Sequence, residues 1–243
     1  MAAYIIVGLV AYLLGSISFS IIISKKMAGF DVREKGSGNA GATNMLRSVG
    51  KKAAALTLLG DALKGVVAIL FAVIVGKIAK NADKALLVQI AGILVVVGHT
   101  FPIFYGFKGG KGVATSLGVL LMTNWKIGLI CLVFAIVLMA LTKMVSMGSV
   151  GAAILFPVLV LFINTNFIVS EGSGYFVYSI ILACIVAFNH RSNIQRILNG
   201  TENKLSFKKK DSSEKAETKT EEKVEEKKEE PENKNEDGKT IYK

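Results

Sequence analysis

The chain has 243 residues, 52% of them hydrophobic, with a mean hydropathy of +0.51, which is too apolar for an ordinary soluble domain. Its net charge of +11 is spread unevenly: residues 203–243 hold 12 Lys and 12 Asp+Glu, which leaves 17 Lys+Arg against 6 Asp+Glu in residues 1–202. Such an excess beside long apolar runs belongs to loops at a bilayer rather than to a nucleic-acid surface. Two cysteines inside apolar runs, Cys131 and Cys184, and two histidines in all suit neither a disulfide framework nor a zinc site.

Apolar runs of spanning length predict an all-α, polytopic membrane protein with seven spans, at about 4–24, 53–76, 85–104, 113–125, 127–142, 148–164 and 175–190. The first lacks a basic n-region and an A-x-A site, so it reads as a retained helix and not a cleaved leader. The fourth and fifth are short and separated only by Asn124-Trp125-Lys126, a pattern for a tight hairpin. A five-span arrangement remains open. The loop at 25–52 carries Lys25, Lys26, Arg33, Lys35, Arg47, Lys51 and Lys52. With Lys108, Lys111, Lys143, Arg191 and Arg196, these cations fall on one side of a seven-span chain. That side is expected to be cytoplasmic, with the N-terminus outside and the C-terminus inside. Lys77, Lys80 and Lys84 fall on the opposite side and count against it.

In chain order, the first polar loop reads Lys35-Gly-Ser-Gly-Asn-Ala-Gly-Ala-Thr-Asn-Met-Leu-Arg47. Its glycines permit close backbone approach. Ser37, Asn39, Thr43 and Asn44 offer hydroxyl and amide partners, and Arg47 a fork for phosphate or carboxylate. A polar turn with Thr43 or Asn44 as helix cap explains part of this run, but not all of it. Next, Asp61 and Lys64 share one face of a span. They read as an ion pair with a structural or orienting role, holding Arg47 or a loop.

The segment Gly98–Thr115 then places Lys108 and Lys111 among Gly106, Gly109, Gly110 and Gly112, just before a helix. Backbone N–H groups, a lysine and a helix N-terminus converging on one point suit a phosphate. The segment is not a Walker A loop: Tyr105 and Gly112 stand where Gly and Ser/Thr are required. Ser146 and Ser149 follow Lys143 and read first as helix caps. The last span ends His190-Arg-Ser-Asn193-Ile-Gln-Arg196, with His190 and Asn193 on one helix face. From Asn203 the chain is Lys/Glu-rich and nearly free of apolar residues, so 203–243 is expected to be a disordered cytoplasmic tail following a membrane domain at 1–202.

No nucleophilic triad or carboxylate pair stands out. A carrier of organic phosphates would use the same cations, but carriers place their sites near the midplane between repeats. Here the polar clusters sit at helix ends, and no repeat is visible.

Three segments together carry a resemblance: Gly36-Ser-Gly-Asn-Ala-Gly-Ala-Thr-Asn-x-x-Arg47; Gly98-His-x-Phe-Pro-x-Phe, continuing to Lys108-Gly-Gly-Lys-Gly-Val-Ala-Thr115; and His190-x-x-Asn-Ile-x-Arg, continuing to Gly200-x-Glu202. In this order they resemble the acyl-phosphate:glycerol-3-phosphate acyltransferase family of the PlsY type, across residues 1–202. The resemblance implies a bacterial inner-membrane enzyme with seven helices and a cytoplasm-facing site. It would acylate the sn-1 hydroxyl of glycerol-3-phosphate from an acyl phosphate, among membrane lipid and without metal or cofactor. Ser37, Asn39, Thr43, Asn44 and Arg47 would bind glycerol-3-phosphate. Lys108 and the loop Gly109, Gly110, Lys111, Gly112 would cradle the donor's phosphoryl group, with Lys111 neutralising the departing phosphate. Ser146, His190 and Asn193 would complete the catalytic pocket. Soluble-loop acyltransferases instead use His-x-x-x-x-Asp, which Phe104 and Gln195 rule out after either histidine.

Overall fold

A computed structural model describes residues 1–163 and 173–205, and every regular element in them is helical. The chain opens with α1 (Ala2–Ser16) and α2 (Phe19–Ala28), which are separated at Ile17 and Ser18, both in extended backbone. Together they form one candidate span, Ala2–Ala28. A short α3 (Ala42–Ser48) follows the first polar loop. The long helix α4 (Lys51–Ile78) has 28 residues, about 42 Å at helical rise, and overshoots a hydrocarbon core of ~30 Å. Helix α5 (Lys84–Thr100) starts where the Asp83 carboxylate accepts from the N–H groups of Ala85 and Leu86, satisfying two donors of its first turn.

The sequence pattern predicts a span at 113–125. The chain there forms α6 (Val113–Thr123), an apolar helix of 11 residues, about 16 Å long. Its end has a local cause. Asn124 leaves helical backbone, and its side chain accepts from Ile127 N–H to start α7 (Trp125–Thr142). Then come α8 (Val145–Phe162), α9 (Ser173–Asn189) and α10 (Arg191–Leu198). The last two are bent by 65° at His190. Five helical stretches among the described residues are long and apolar enough to cross a membrane, or six if the bent pair counts as one span. The predicted charged tail lies, beyond Leu205, outside the described residues.

Helix α5 lies at the centre. Leu87, Val88, Ala91, Val95 and Val96 are all buried. It lies tightly against α1 because Gly98 lacks a side chain: a methyl group there would run into the Tyr12 carbonyl. Without a hydrophobic drive between helices in lipid, such close backbone contact supplies much of the association energy. The outer face of α4 shows the complement, with Leu59, Leu63, Val67, Leu70 and Ile74 exposed at helical spacing. These faces suit lipid.

Candidate active site

All thirteen candidate residues from the sequence line one cavity of about 1020 Å³ at one end of the helix bundle. Its polar walls come from the loop before α3, the loop between α5 and α6, the start of α8 and the α9–α10 bend. Leu117, Leu120, Leu132, Ala135, Phe156 and Leu182 continue it as an apolar wall.

The first loop owes its shape to Asn44. Its side-chain amide donates to the carbonyls of Val32, Lys35 and Asn39, while its Oδ1 accepts from Ser37 N–H. With those bonds made, Asn44 is a clip that folds the loop, and not a free ligand group. Arg47 differs: it is exposed and makes no hydrogen bond or salt bridge among the described residues. Arg33 braces the same region. Its guanidinium pairs with Asp31 at 2.8 Å and donates to the carbonyls of Tyr105 and Lys108 at 2.8 and 3.1 Å, joining the first loop to the second. The hydrogen-bonded Arg33 guanidinium holds the Asp31 carboxyl below its usual range.

In the second loop two expected backbone donors are already used. Gly109 N–H donates to Thr100 O and Gly110 N–H to His99 O, both at 3.1 Å. These bonds fasten the loop to the end of α5, so the N–H groups of Gly109 and Gly110 are not the ones that face an anion. The N–H groups of Lys111 and Gly112 and those of the first turn of α6, where a helix leaves its donors without intrahelical partners, remain.

Lys111 turns inward, and its Nζ donates to Asn193 Oδ1. Burial pulls its pKa down to about 8. The nearby Glu202 charge opposes that shift, while Arg196 and Arg47 add to it. The other end of the Asn193 amide donates to Glu202 Oε1 at 2.7 Å, so the side chain is held in one orientation. Glu202 collects three donors in all: Asn193, Ser146 Oγ at 2.8 Å, and Arg196 Nε at 2.8 Å on Oε2. Burial alone would raise the pKa of this carboxyl, but the three hydrogen bonds outweigh it and hold the pKa below the usual range. Ser146 therefore engages Glu202, 56 residues away.

His190 is buried at the bend, with Nδ1 2.8 Å from Val186 O. A carbonyl only accepts, so Nδ1 carries a proton, and in the neutral ring Nε2 is the acceptor. Asn189, just before it, donates to Thr100 Oγ1 at 3.1 Å and ties α9 to the end of α5. Glu202, Arg33 and Asn189 were not among the candidates. Glu202 closes the third motif, which was its only signal. Arg33 stood out in the sequence only as one loop cation, and Asn189 not at all.

The chain matches the glycerol-3-phosphate acyltransferase family over residues 5–200. A glycerol-3-phosphate acyltransferase from Clostridioides difficile is 46% identical over 207 residues, covering 85% of this chain and 98% of the relative. One from Halalkalibacterium halodurans is 45% identical over 199 residues, covering 82% and 94%. The crystal structure of PlsY (YgiH), an integral membrane glycerol 3-phosphate acyltransferase, in its glycerol 3-phosphate form superposes with a TM-score of 0.73 at 33% identity, over 84% of this chain and 96% of that one. Its lysophosphatidic acid form gives 0.71 at 32% identity, over 84% and 95%.

Proposed function

This chain belongs to the glycerol-3-phosphate acyltransferase family, and we propose that it takes a fatty acyl group from an acyl phosphate and places it on the sn-1 hydroxyl of glycerol-3-phosphate. The observation that carries this reading is one cavity that gathers cations from two different segments, Arg47 and Lys111, and continues along an apolar wall. Arg47 makes no hydrogen bond or ion pair among the described residues, and Lys111 stands just before the open N-terminus of α6. The first suits the phosphate of the acceptor, the second the phosphoryl group of the donor. The apolar wall suits the acyl chain.

In this reading the glycerol oxygen attacks the acyl carbonyl carbon, forming the new ester bond. The bond from that carbon to the phosphate oxygen breaks, and inorganic phosphate departs against Lys111 and the first turn of α6. The hydroxyl proton leaves for His190 Nε2 or for a phosphate oxygen, and the pH profile of His190→Gln distinguishes the two. An acyl phosphate is already activated, so positioning and charge stabilisation suffice without a protein nucleophile. Ser37, Asn39 and Thr43 surround the acceptor beside Arg47, and Lys108 adds an exposed charge to the same cavity. Asn44 and Ser146 act through the groups they hold.

The site faces the cytoplasm at a bacterial cell membrane in this proposal. The N-terminus lies outside, and α6 with α7 forms the hairpin of a seven-span arrangement. Residues 1–202, with the strap as far as Leu205, form the catalytic domain. The test of the reaction is product position: labelled glycerol-3-phosphate should yield lysophosphatidic acid acylated at sn-1. A product acylated mainly at sn-2 from the first time points contradicts it.

A further inference from the structure

A second charged cluster lies behind the anion loop. Asp61 and Lys64 in α4 and His99 in α5 are 2%, 4% and 6% exposed. Ionisable groups at such depth are costly, and they persist where they are paired and used. Asp61 Oδ1 is 3.0 Å from Lys64 Nζ and 3.5 Å from His99 Nδ1. Lys64 also donates to the carbonyls of Gly15 at 2.9 Å and Ile17 at 2.8 Å, where α1 stops. Arg47 is not among its partners, so the pair does not hold that residue.

On its other edge, the His99 imidazole supports the loop. Its Nε2 lies against Gly110 so closely that a methyl group on that residue would collide with it. The His99 carbonyl takes the Gly110 N–H. Contact is therefore continuous from the break between α1 and α2, through Lys64, Asp61 and His99, to the second glycine before Lys111. Asp61 and His99 both line the cavity.

We infer that His99, oriented by the Asp61–Lys64 pair, is a positioning residue for the anion loop. It fixes the path of Gly110, and so the direction in which Lys111 and the first turn of α6 meet a phosphoryl group. The inference rests on the proposed donor chemistry and adds the element that aims it. A small misplacement of a charge-stabilising group costs rate far more than binding of a distant substrate.

The test uses the full-length protein in detergent or nanodiscs, with inorganic phosphate as the competing anion. His99→Asn keeps a donor toward Asp61 and removes the edge beneath Gly110. It should lower kcat about tenfold or more. Inhibition by inorganic phosphate should weaken by a similar factor, and KM for glycerol-3-phosphate should stay within about twofold of wild type. His99→Gln, which reaches Gly110 again, should recover part of both losses. Gly110→Ala should reproduce the His99→Asn pattern from the loop side and provides the reading if His99→Asn does not fold. If wild type neither uses acyl phosphate nor responds to inorganic phosphate, the donor reading is overturned and this inference with it. If wild type behaves as proposed and His99→Asn matches it in kcat and phosphate inhibition, this inference alone is overturned. The same holds if the variant loses only thermal stability.

Discussion

Lys111 Nζ donates to Asn193 Oδ1 across 82 residues of sequence, and the same Asn193 amide is anchored on Glu202 by its nitrogen. One side chain thus aims the cation of the second loop and ties it to the strap after α10.

The two proposed anion positions should separate kinetically. Arg47→Lys keeps a charge and loses the planar fork, which is not conservative at a phosphate site. It should raise KM for glycerol-3-phosphate with kcat nearly unchanged. Lys111→Ala should lower kcat about 10²-fold or more with both substrates saturating, because its charge matters most as phosphate departs. Steady-state kinetics on both variants check this; matching KM effects with kcat intact would remove the division of roles.

The Lys111 pKa of about 8 sets a pH limit. The active form is the cation, so turnover should fall as pH rises through about 8. Glu202 raises that pKa, so Glu202→Gln should move the alkaline limb to lower pH. A kcat profile from pH 6 to 10 on wild type and Glu202→Gln reads the shift. A limb that stays put or moves upward would mean that Lys111 is not the titrating group.

Two truncations should differ sharply. Removing residues 206–243 should leave turnover within a few-fold, since that Lys/Glu-rich segment supplies none of the named site residues and the strap is already held at Leu205, whose N–H donates to Lys143 O at 2.7 Å. Ending the chain at Leu198 removes Glu202 and leaves Ser146, Asn193 and Arg196 without their shared acceptor. That variant should be nearly inactive. Equal activity of the two, measured at matched expression, would refute the anchoring role.

The proposed topology predicts opposite labelling. Single cysteines in place of Lys35 and Lys84, in a background lacking Cys131 and Cys184, should react with an impermeant reagent from opposite faces of the membrane. Labelling of both from one face would sink it.

The sequence made the polar end of the protein legible because residue type and spacing carry the information there. Glycines beside cations before a helix, and His190 with Asn193 on one face, were readable from the chain alone, and the family resemblance rested on the same runs. What could not be read was which long-range partner consumes each donor. Asn44 has the composition of a ligand residue, yet its amide is engaged by three nearby carbonyls. Gly109 and Gly110 have the form of an anion nest, yet α5 takes their N–H groups. Ser146 reads as a cap, and its acceptor is a carboxylate on another element. The span drawn to residue 125 stops at Thr123, because the Asn124 side chain ends one helix and begins the next.

The donor tests the account most directly. Purified protein should be given glycerol-3-phosphate with palmitoyl phosphate, palmitoyl-CoA or palmitoyl-acyl-carrier protein in parallel, without added metal, and lysophosphatidic acid and inorganic phosphate should be counted together. The account predicts one phosphate released per lipid formed from palmitoyl phosphate, and no lipid above background from either thioester. Robust transfer from a thioester, or lipid formed without matching phosphate release, would contradict it.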